Sequence, residues 1–128
     1  MNTNQKGNRG QIEVLRDLYA RGYHVFLPFD DYSAVDLIAL SPEGKCVRLQ
    51  VKYRSLESGA YKLKTRSMVN GKAVEIDRTM IDGWAVYLAE LDRVVYIDVK
   101  ALDGKKSLSI DPDEDYNTWK MISPGGER

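Results

Sequence analysis

The alternation of apolar and polar residues predicts one helix near the start of the chain. Over residues 8–21 the apolar positions recur at helical spacing, with Val14 and Leu18 on the same side. Gly22 ends this pattern, because glycine readily adopts the left-handed conformation that closes a helix. Residues 1–7 are polar, and we expect them to be frayed.

After the helix, the pattern changes to the short apolar or alternating runs that are typical of strands. Residues 41–45 are a turn signal between two of these runs, and Asn70-Gly71 is the strongest hairpin signal in the chain. Weak signals from residue 111 onward favour irregular structure, and we expect residues 117–128 to be flexible. The predicted strands are residues 23–27, 35–40, 46–53, 60–69, 73–76, 84–90 and 94–99.

Two of the predicted strands carry polar residues that a buried strand does not need. Asp36 is the only charge in the nearly continuous apolar run of residues 35–40, and a carboxylate in such a run requires a partner. In residues 46–53, alternation places Gln50 and Lys52 on one face of the sheet and apolar residues on the other. One face of this strand is therefore predicted to be core, and the other is available for chemistry.

Composition limits the class of protein. A chain of 128 residues is the size of one ordinary domain. No apolar stretch is long enough to span a bilayer and no basic and apolar leader opens the chain, so we expect a soluble, unsecreted, cytoplasmic protein with no membrane partner. The only cysteine, Cys46, excludes an internal disulfide, and the only histidine, His24, excludes a His-rich zinc site.

The distribution of charge is uneven, although 19 basic and 19 acidic residues give a formal net charge of zero. Residues 45–66 contain seven basic residues against one acid, Glu57. Binding a polyanion requires such a local excess of positive charge. A solvated charged strand explains the same cluster about equally well when the cluster is considered alone.

The polar residues of the two strands match the needs of phosphodiester hydrolysis. That reaction needs a hard cation to stabilise developing charge and a group that positions or deprotonates the attacking water. The Asp36 carboxylate, the Gln50 side-chain carbonyl and the main-chain carbonyl of Val51 are oxygen ligands suited to Mg2+, with Mn2+ as a substitute. Lys52, on the same face as Gln50, is predicted to orient or activate the water and to balance phosphate charge.

Each of these residues also has a simpler interpretation. Taken alone, Asp36 is about twice as often a buried acid paired with a core lysine or arginine as a metal ligand. Gln50 and Lys52, taken alone, are typical of an exposed strand face. The three positions together favour the metal site, because the simpler interpretations predict no particular spacing between them.

The order of the motifs resembles that of the PD-(D/E)XK nuclease superfamily. The matching segments are Leu-x-x-x-Gly-Tyr at the end of the helix, then Val-Phe-Leu-Pro, Val-Asp-Leu-Ile and Leu-Gln-Val-Lys-Tyr. The likeness covers residues 7–56 and is weaker over residues 84–99. The chain is similar to the branch that holds archaeal-type Holliday junction resolvases and homing endonucleases of group I introns. Gln50 fits the homing enzymes better than the resolvases, in which this position is typically a glutamate.

This resemblance implies a fold, a reaction and partners. The fold is a single α/β domain over residues 1–128, with a mixed central sheet of the restriction-endonuclease type flanked by the N-terminal helix. The reaction is Mg2+-dependent cleavage of duplex or four-way junction DNA, by in-line attack of water on phosphorus. Cutting two strands implies a homodimer or a higher two-fold symmetric oligomer. The predicted DNA contacts are Arg9, Arg54, Lys62, Lys64 and Arg66.

One catalytic position departs from the family pattern. The superfamily carries a glutamate on its first helix, eleven residues before the glycine that ends it, and this chain has Gln11 there. Glu13 lies about 200° further around the helix and does not replace it. A neutral amide can hold a water but cannot act as a base, so the alternative function is a non-cleaving DNA-binding module. Gln11 taken alone also fits a capping box with Asn8.

Overall fold

Nine strands and one long helix form the regular part of the chain in the computed structural model, which describes residues 1–30, 33–117 and 121–122, without the side chains of 67–69. Helix α1 spans Thr3–Ala20, and a short 3-10 helix spans Val99–Leu102. Within the described ranges, no helix is long and apolar enough to cross a membrane. The strands are β1 (His24–Phe26), β2 (Leu37–Leu40), β3 (Cys46–Arg54), β4 (Tyr61–Lys64), β5 (Arg66–Val69), β6 (Lys72–Glu75), β7 (Gly83–Leu88), β8 (Arg93–Asp98) and β9 (Ser107–Ile110).

Five of the strands form the central sheet, in the order β1-β2-β3-β7-β8. Neighbouring strands are antiparallel except β3 and β7, which run parallel with Gln50 opposite Trp84. A parallel pair needs a long crossover connection, and here that connection contains β4, β5 and β6. The predicted α/β fold with a mixed sheet and an N-terminal helix is confirmed.

Helix α1 packs on one face of the sheet and closes a first core. Val14 is fully buried in the same apolar cluster as Leu49 of β3. Gly10 allows a close approach, because a Cβ at this position would lie only 3.3 Å from the Cβ of Tyr53. The helix is therefore held directly against the strand that carries Gln50 and Lys52.

A second core covers the opposite face of the sheet. Strands β4 and β9 pair antiparallel with each other, and their side chains Leu63 and Ile110 are buried in the same cluster as Trp84 and Val86 of β7. Because both faces of the sheet are covered, every residue of β7 is buried. The face that carries Gln50 and Lys52 is thus partly enclosed rather than open to solvent.

Helix α1 begins at Thr3 rather than at residue 8. The prediction that residues 1–7 are frayed is therefore wrong from Thr3 onward. Asn2 and Gln5 form a reciprocal capping box, in which each side chain accepts the other residue's N–H, at 2.9 and 2.8 Å. Gln11 lies in the middle of the helix. Its interpretation as a capping residue is therefore also wrong.

The single strand predicted over residues 60–69 is two strands, β4 and β5, which belong to different two-stranded sheets. The chain bends between them at Thr65, whose buried hydroxyl contacts Glu75 and whose N–H donates to the Lys106 carbonyl at 3.2 Å. The predicted hairpin between β5 and β6 is confirmed. Asn70 and Gly71 have φ angles of 50° and 77° there, as the two-residue hairpin turn requires.

The end of the described chain is more ordered than its sequence indicates. Strand β9 pairs with β4 in a region where no strand was predicted. Met121 and Ile122 are buried in the first core, so the flexibility expected of residues 117–128 is wrong for these two. Residues 118–120 and 123–128 lie outside the described ranges.

Candidate active site

Asp36 lies immediately before β2 and is joined to β3 at two points. Its N–H donates to the Leu49 carbonyl at 2.9 Å, and its oxygen Oδ2 accepts the Val51 N–H at 2.7 Å. Burial raises the pKa of the Asp36 carboxyl, while the Val51 N–H and the charge of Lys52 oppose this rise. Asp36 forms no salt bridge with another described residue. The alternative of a core ion pair is therefore not observed.

Gln50 is hydrogen-bonded at both ends of its amide. Its oxygen Oε1 accepts the indole N–H of Trp84 at 3.1 Å, and its nitrogen Nε2 donates to the Ala34 carbonyl at 3.3 Å. The residue is half-buried, so the alternative of an exposed strand face is wrong for Gln50. A carbonyl oxygen has two lone pairs, which leaves one for a further ligand.

Lys52 is half-buried on the same face of β3 as Gln50. Burial is the main cause that lowers the pKa of the Lys52 amine, and the nearby charge of Arg54 lowers it further, while Asp36 acts in the opposite direction. An amine with a lowered pKa becomes neutral at a lower pH than an exposed lysine. This change suits a group that orients or deprotonates water.

Gln11 is half-buried on α1 and follows Gly10, the helix residue that approaches β3. The preceding residue, Gly10, would place a Cβ 3.6 Å from the Lys52 carbonyl and 3.3 Å from the Cβ of Tyr53. The Gln11 side chain makes no hydrogen bond to another described residue. The helix thus approaches the strand of Lys52 at position 10, and the Gln11 amide that follows is not fixed by another described residue.

Glu13 does not take the place of Gln11. Its carboxylate is buried at 8% exposure and is bound by Arg9 at 2.7 Å and by Arg16 at 3.1 Å. Arg9 also donates to the Tyr87 hydroxyl at 3.1 Å and lies 5.4 Å from the centre of the Tyr87 ring. The guanidinium of Arg9, a predicted DNA contact, is therefore engaged within the protein and fixes α1 to β7.

Arg54, another predicted DNA contact, is also engaged within the protein. Its guanidinium donates to the Lys62 carbonyl at 2.8 Å and to the Tyr53 carbonyl at 2.9 Å. Burial lowers the pKa of Arg54. The side chain thus joins β3 to β4 and leaves fewer of its N–H groups for phosphate.

The remaining predicted DNA contacts lie on β4 and at the start of β5. Lys62 and Lys64 alternate along β4 with the buried side chains of the second core, so they lie on the outer face of that strand. Lys64 is exposed. Arg66, at the start of β5, lies 3.6 Å from the carboxylate of Glu75 and is about half exposed, at 51%.

Trp84 is the member of this site that sequence reasoning missed. It is fully buried, and a buried indole N–H requires an acceptor, which here is Gln50. That requirement was visible in the sequence, since Trp84 is the first residue of the strongly apolar strand predicted over residues 84–90. The identity of the acceptor was not visible, because it depends on the parallel register of β3 and β7.

The donor chemistry of the site fits a hard divalent cation. Asp36, Gln50 and the Val51 carbonyl are oxygen donors, and Mg2+ commonly binds through one or two carboxylates while keeping several waters. The described residues contain no group of three or more His, Cys, Asp or Glu side chains placed to hold a metal. Asp36 is then the one charged protein ligand of the candidate set, and water and phosphate would complete the coordination.

Comparison with known proteins gives a family and a fold. A family model described as PD-(D/E)XK endonuclease matches residues 1–118. The solved structure of a bacterial homing endonuclease, I-Ssp6803I, is similar in fold, with 18% sequence identity, a TM-score of 0.72, and coverage of 89% of this chain and 82% of that chain. This likeness confirms the restriction-endonuclease type of fold predicted from the sequence. No curated protein matched the chain.

Proposed function

The chain belongs to the PD-(D/E)XK endonuclease family, and from this premise we propose that it is a Mg2+-dependent endodeoxyribonuclease that hydrolyses DNA phosphodiester bonds, with Mn2+ as a substitute metal. One observation supports the proposal most directly. The Asp36 carboxylate accepts the Val51 N–H at 2.7 Å, which holds it beside Gln50 and Lys52. A half-buried carboxylate just before β2, with an amide and a half-buried amine on β3, matches the needs of phosphodiester hydrolysis.

Three groups of the chain would hold the cation. The Val51 N–H binds one oxygen of Asp36, which leaves the other oxygen for the metal. The second lone pair of the Gln50 carbonyl oxygen and the main-chain carbonyl of Val51 would add two neutral oxygen ligands. When bound, Mg2+ supplies positive charge near the phosphate oxygens as negative charge develops on them.

Lys52 acts on the attacking water in this mechanism. Burial lowers the pKa of its amine, which raises the neutral fraction above that of an exposed lysine, and this neutral form accepts a proton from the water as the water oxygen bonds to phosphorus. The bond between phosphorus and the 3′ oxygen breaks on the opposite side, and the 3′ oxygen takes a proton from solvent. The products carry a 5′-phosphate and a 3′-hydroxyl. Gln11 hydrogen-bonds a water but does not take its proton.

DNA binding is assigned to the outer face of β4 and the start of β5. Lys62 and Lys64 lie on that face of β4 and Arg66 opens β5, and all three contact phosphates in this proposal. Gln50 and the fold shared with a bacterial homing endonuclease favour a homing-type nuclease that cuts duplex DNA, with a four-way junction resolvase as the other subclass. A homodimer or a higher two-fold symmetric oligomer would cut both strands.

A metal titration with labelled DNA tests this function. The chain and its Gln11→Glu variant are incubated with duplex DNA or four-way junctions at increasing Mg2+ or Mn2+. Metal-dependent cleavage by both forms is the expected result, with a smaller rate for the parent chain than for the Gln11→Glu variant. A preference for duplex DNA indicates the homing type, and a preference for junctions indicates the resolvase type.

The amide at position 11 favours a second candidate function, a DNA-binding module without cleavage. In that case both forms bind DNA with an affinity that falls as salt rises. Neither form cuts DNA with Mg2+ or Mn2+. That combination of results rejects the nuclease function for this chain.

A further inference from the structure

We propose that Trp84 is a positioning residue for Gln50, and that Trp84 and the Ala34 carbonyl together make position 50 selective for an amide over a carboxylate. The part of this proposal that concerns the metal rests on the proposed function. The part that concerns the amide rests only on the contacts of these three residues.

The three residues form a chain of hydrogen bonds across the sheet. Trp84 lies opposite Gln50 in the parallel pair of β3 and β7, and its indole N–H reaches the Gln50 oxygen Oε1 at 3.1 Å. The Gln50 nitrogen Nε2 reaches the Ala34 carbonyl at 3.3 Å. The indole is fully buried in the second core. Packing therefore prevents it from turning its N–H to solvent.

The polarity of the two neighbours explains why an amide fits here. An indole N–H only donates, and a main-chain carbonyl only accepts. An amide offers one acceptor and one donor group, so Gln50 satisfies both neighbours at once. An ionised glutamate would satisfy Trp84 but would place its second oxygen against the Ala34 carbonyl, where two acceptors repel each other.

The same hydrogen bonds hold the segment that carries Asp36. Ala34 lies two residues before Asp36, and the Gln50 amide ties it to β3. Asp36 is tied to the same strand through the Leu49 carbonyl and the Val51 N–H. An amide that is fixed in one orientation therefore sets both its own oxygen and the position of the neighbouring carboxylate.

Two substitutions and two matched controls test the proposal. Gln50→Glu changes an amide to a carboxylate next to Ala34, and Gln5→Glu makes the same change in the exposed capping box, where glutamate caps equally well. Trp84→Phe removes the indole N–H. Tyr96→Phe removes a buried hydroxyl that donates to Asp17 at 2.6 Å in the first core, on the other face of the sheet.

The first measurement is the midpoint of thermal denaturation at neutral pH in a metal chelator. We expect Gln50→Glu to lower the midpoint by about 5 °C, as the loss of a buried hydrogen bond does in a domain of this size. Gln5→Glu should leave it unchanged. Equal midpoints for Gln50→Glu and the parent chain overturn the selectivity for an amide.

The second measurement is Mn2+ affinity, taken from the electron paramagnetic resonance signal of the free ion. We expect Trp84→Phe to weaken binding about 10-fold, which is typical when a residue that orients a ligand is removed, and Tyr96→Phe to leave it unchanged. Equal affinities for the two variants overturn the positioning role of Trp84. Absence of Mn2+ binding by the parent chain also overturns the positioning role of Trp84. The cleavage assay tests the proposed function separately.

Discussion

At the residue scale, the candidate site contains two half-buried ionisable groups whose charged forms are disfavoured by burial. Burial raises the pKa of Asp36 and lowers the pKa of Lys52. Such groups reduce stability, and proteins commonly retain them where the chemistry needs a shifted pKa. The site is therefore a place where stability and function are expected to oppose each other.

Lys52→Met should stabilise the protein at neutral pH by about 1 kcal/mol, because it removes a buried charge and keeps the apolar stem. The direction of this stability change follows from the lowered pKa of Lys52. The charged amine destabilises the folded state at pH values below its folded pKa, and this penalty disappears as pH rises towards the ordinary value of 10.5. Thermal denaturation between neutral and alkaline pH measures the gain. Lys64→Met, on an exposed lysine, is the control, and an equal gain there contradicts the interpretation.

Lys52→Ala should separate cleavage from binding. In a Gln11→Glu background that cuts DNA, we expect this change to abolish cutting, because the group that orients and deprotonates water is lost. DNA affinity should stay nearly intact, since Lys52 is half-buried and is only one of several basic residues. Cleavage rate and DNA affinity measured on the same samples check this, and equal cleavage removes Lys52 from the mechanism.

At the scale of elements, strand β4 carries two of the three residues that we assign to DNA, and the third, Arg66, opens β5. Its inner side chains close the second core against β7, and its outer side chains are Lys62 and Lys64. Arg54 ties this strand to β3 through the Lys62 carbonyl at 2.8 Å. The basic strand is thus joined directly to the strand that carries Gln50 and Lys52, which couples the proposed DNA contact to the proposed chemistry.

The double change Lys62→Ala and Lys64→Ala should weaken DNA binding for all sequences alike. Each lost phosphate contact is expected to reduce the slope of log affinity against log salt by about 1. Binding measured at several salt concentrations gives this slope. Lys6→Ala, which removes one exposed positive charge on the first part of α1, is the control and should not change the slope. The same slope for the double variant and the parent chain would indicate that DNA binds to another surface.

At the scale of the whole molecule, the end of the described chain returns to the centre of the sheet. Gly83 opens β7, and a Cβ there would lie 2.5 Å from the Ile97 carbonyl oxygen and 2.7 Å from the Met121 side chain. Met121 belongs to the same core as the helix residue Val14. The two ends of the described chain are therefore both part of the core that supports β3.

Gly83→Ala should destabilise the protein by about 2 kcal/mol, because the added methyl group overlaps a main-chain carbonyl that cannot move freely. Gly7→Ala is the matched control. Nothing lies within 4 Å of a Cβ at that position, and alanine favours a helix, so the variant should gain up to about 1 kcal/mol. Chemical denaturation measures both values. A stability for Gly83→Ala equal to that of the parent chain would contradict the close packing of Met121.

Local patterns predicted some elements well and others poorly. The strands around Asp36 and Gln50 and the Asn70-Gly71 hairpin were predicted, because each depends on neighbours along the chain. The start of α1 was missed because its first residues are polar all round, so they show no helical period. The break at Thr65 was missed for a related reason, since β4 and β5 continue one alternating pattern across it.

From the sequence alone it follows that Gln50 and Lys52 share one strand face and that Asp36 is the only charge in the apolar run that leads into β2. These features follow from the two-residue period of a strand, which backbone geometry fixes within a few residues. The packing of the whole fold, and not the local sequence, brings Trp84 to Gln50 and engages Arg9 and Arg54 within the protein. Contacts between residues as far apart as 34 and 78 positions depend on which strands pair and on where the helix packs. Local spacing carries no information about those choices, because the whole core determines them.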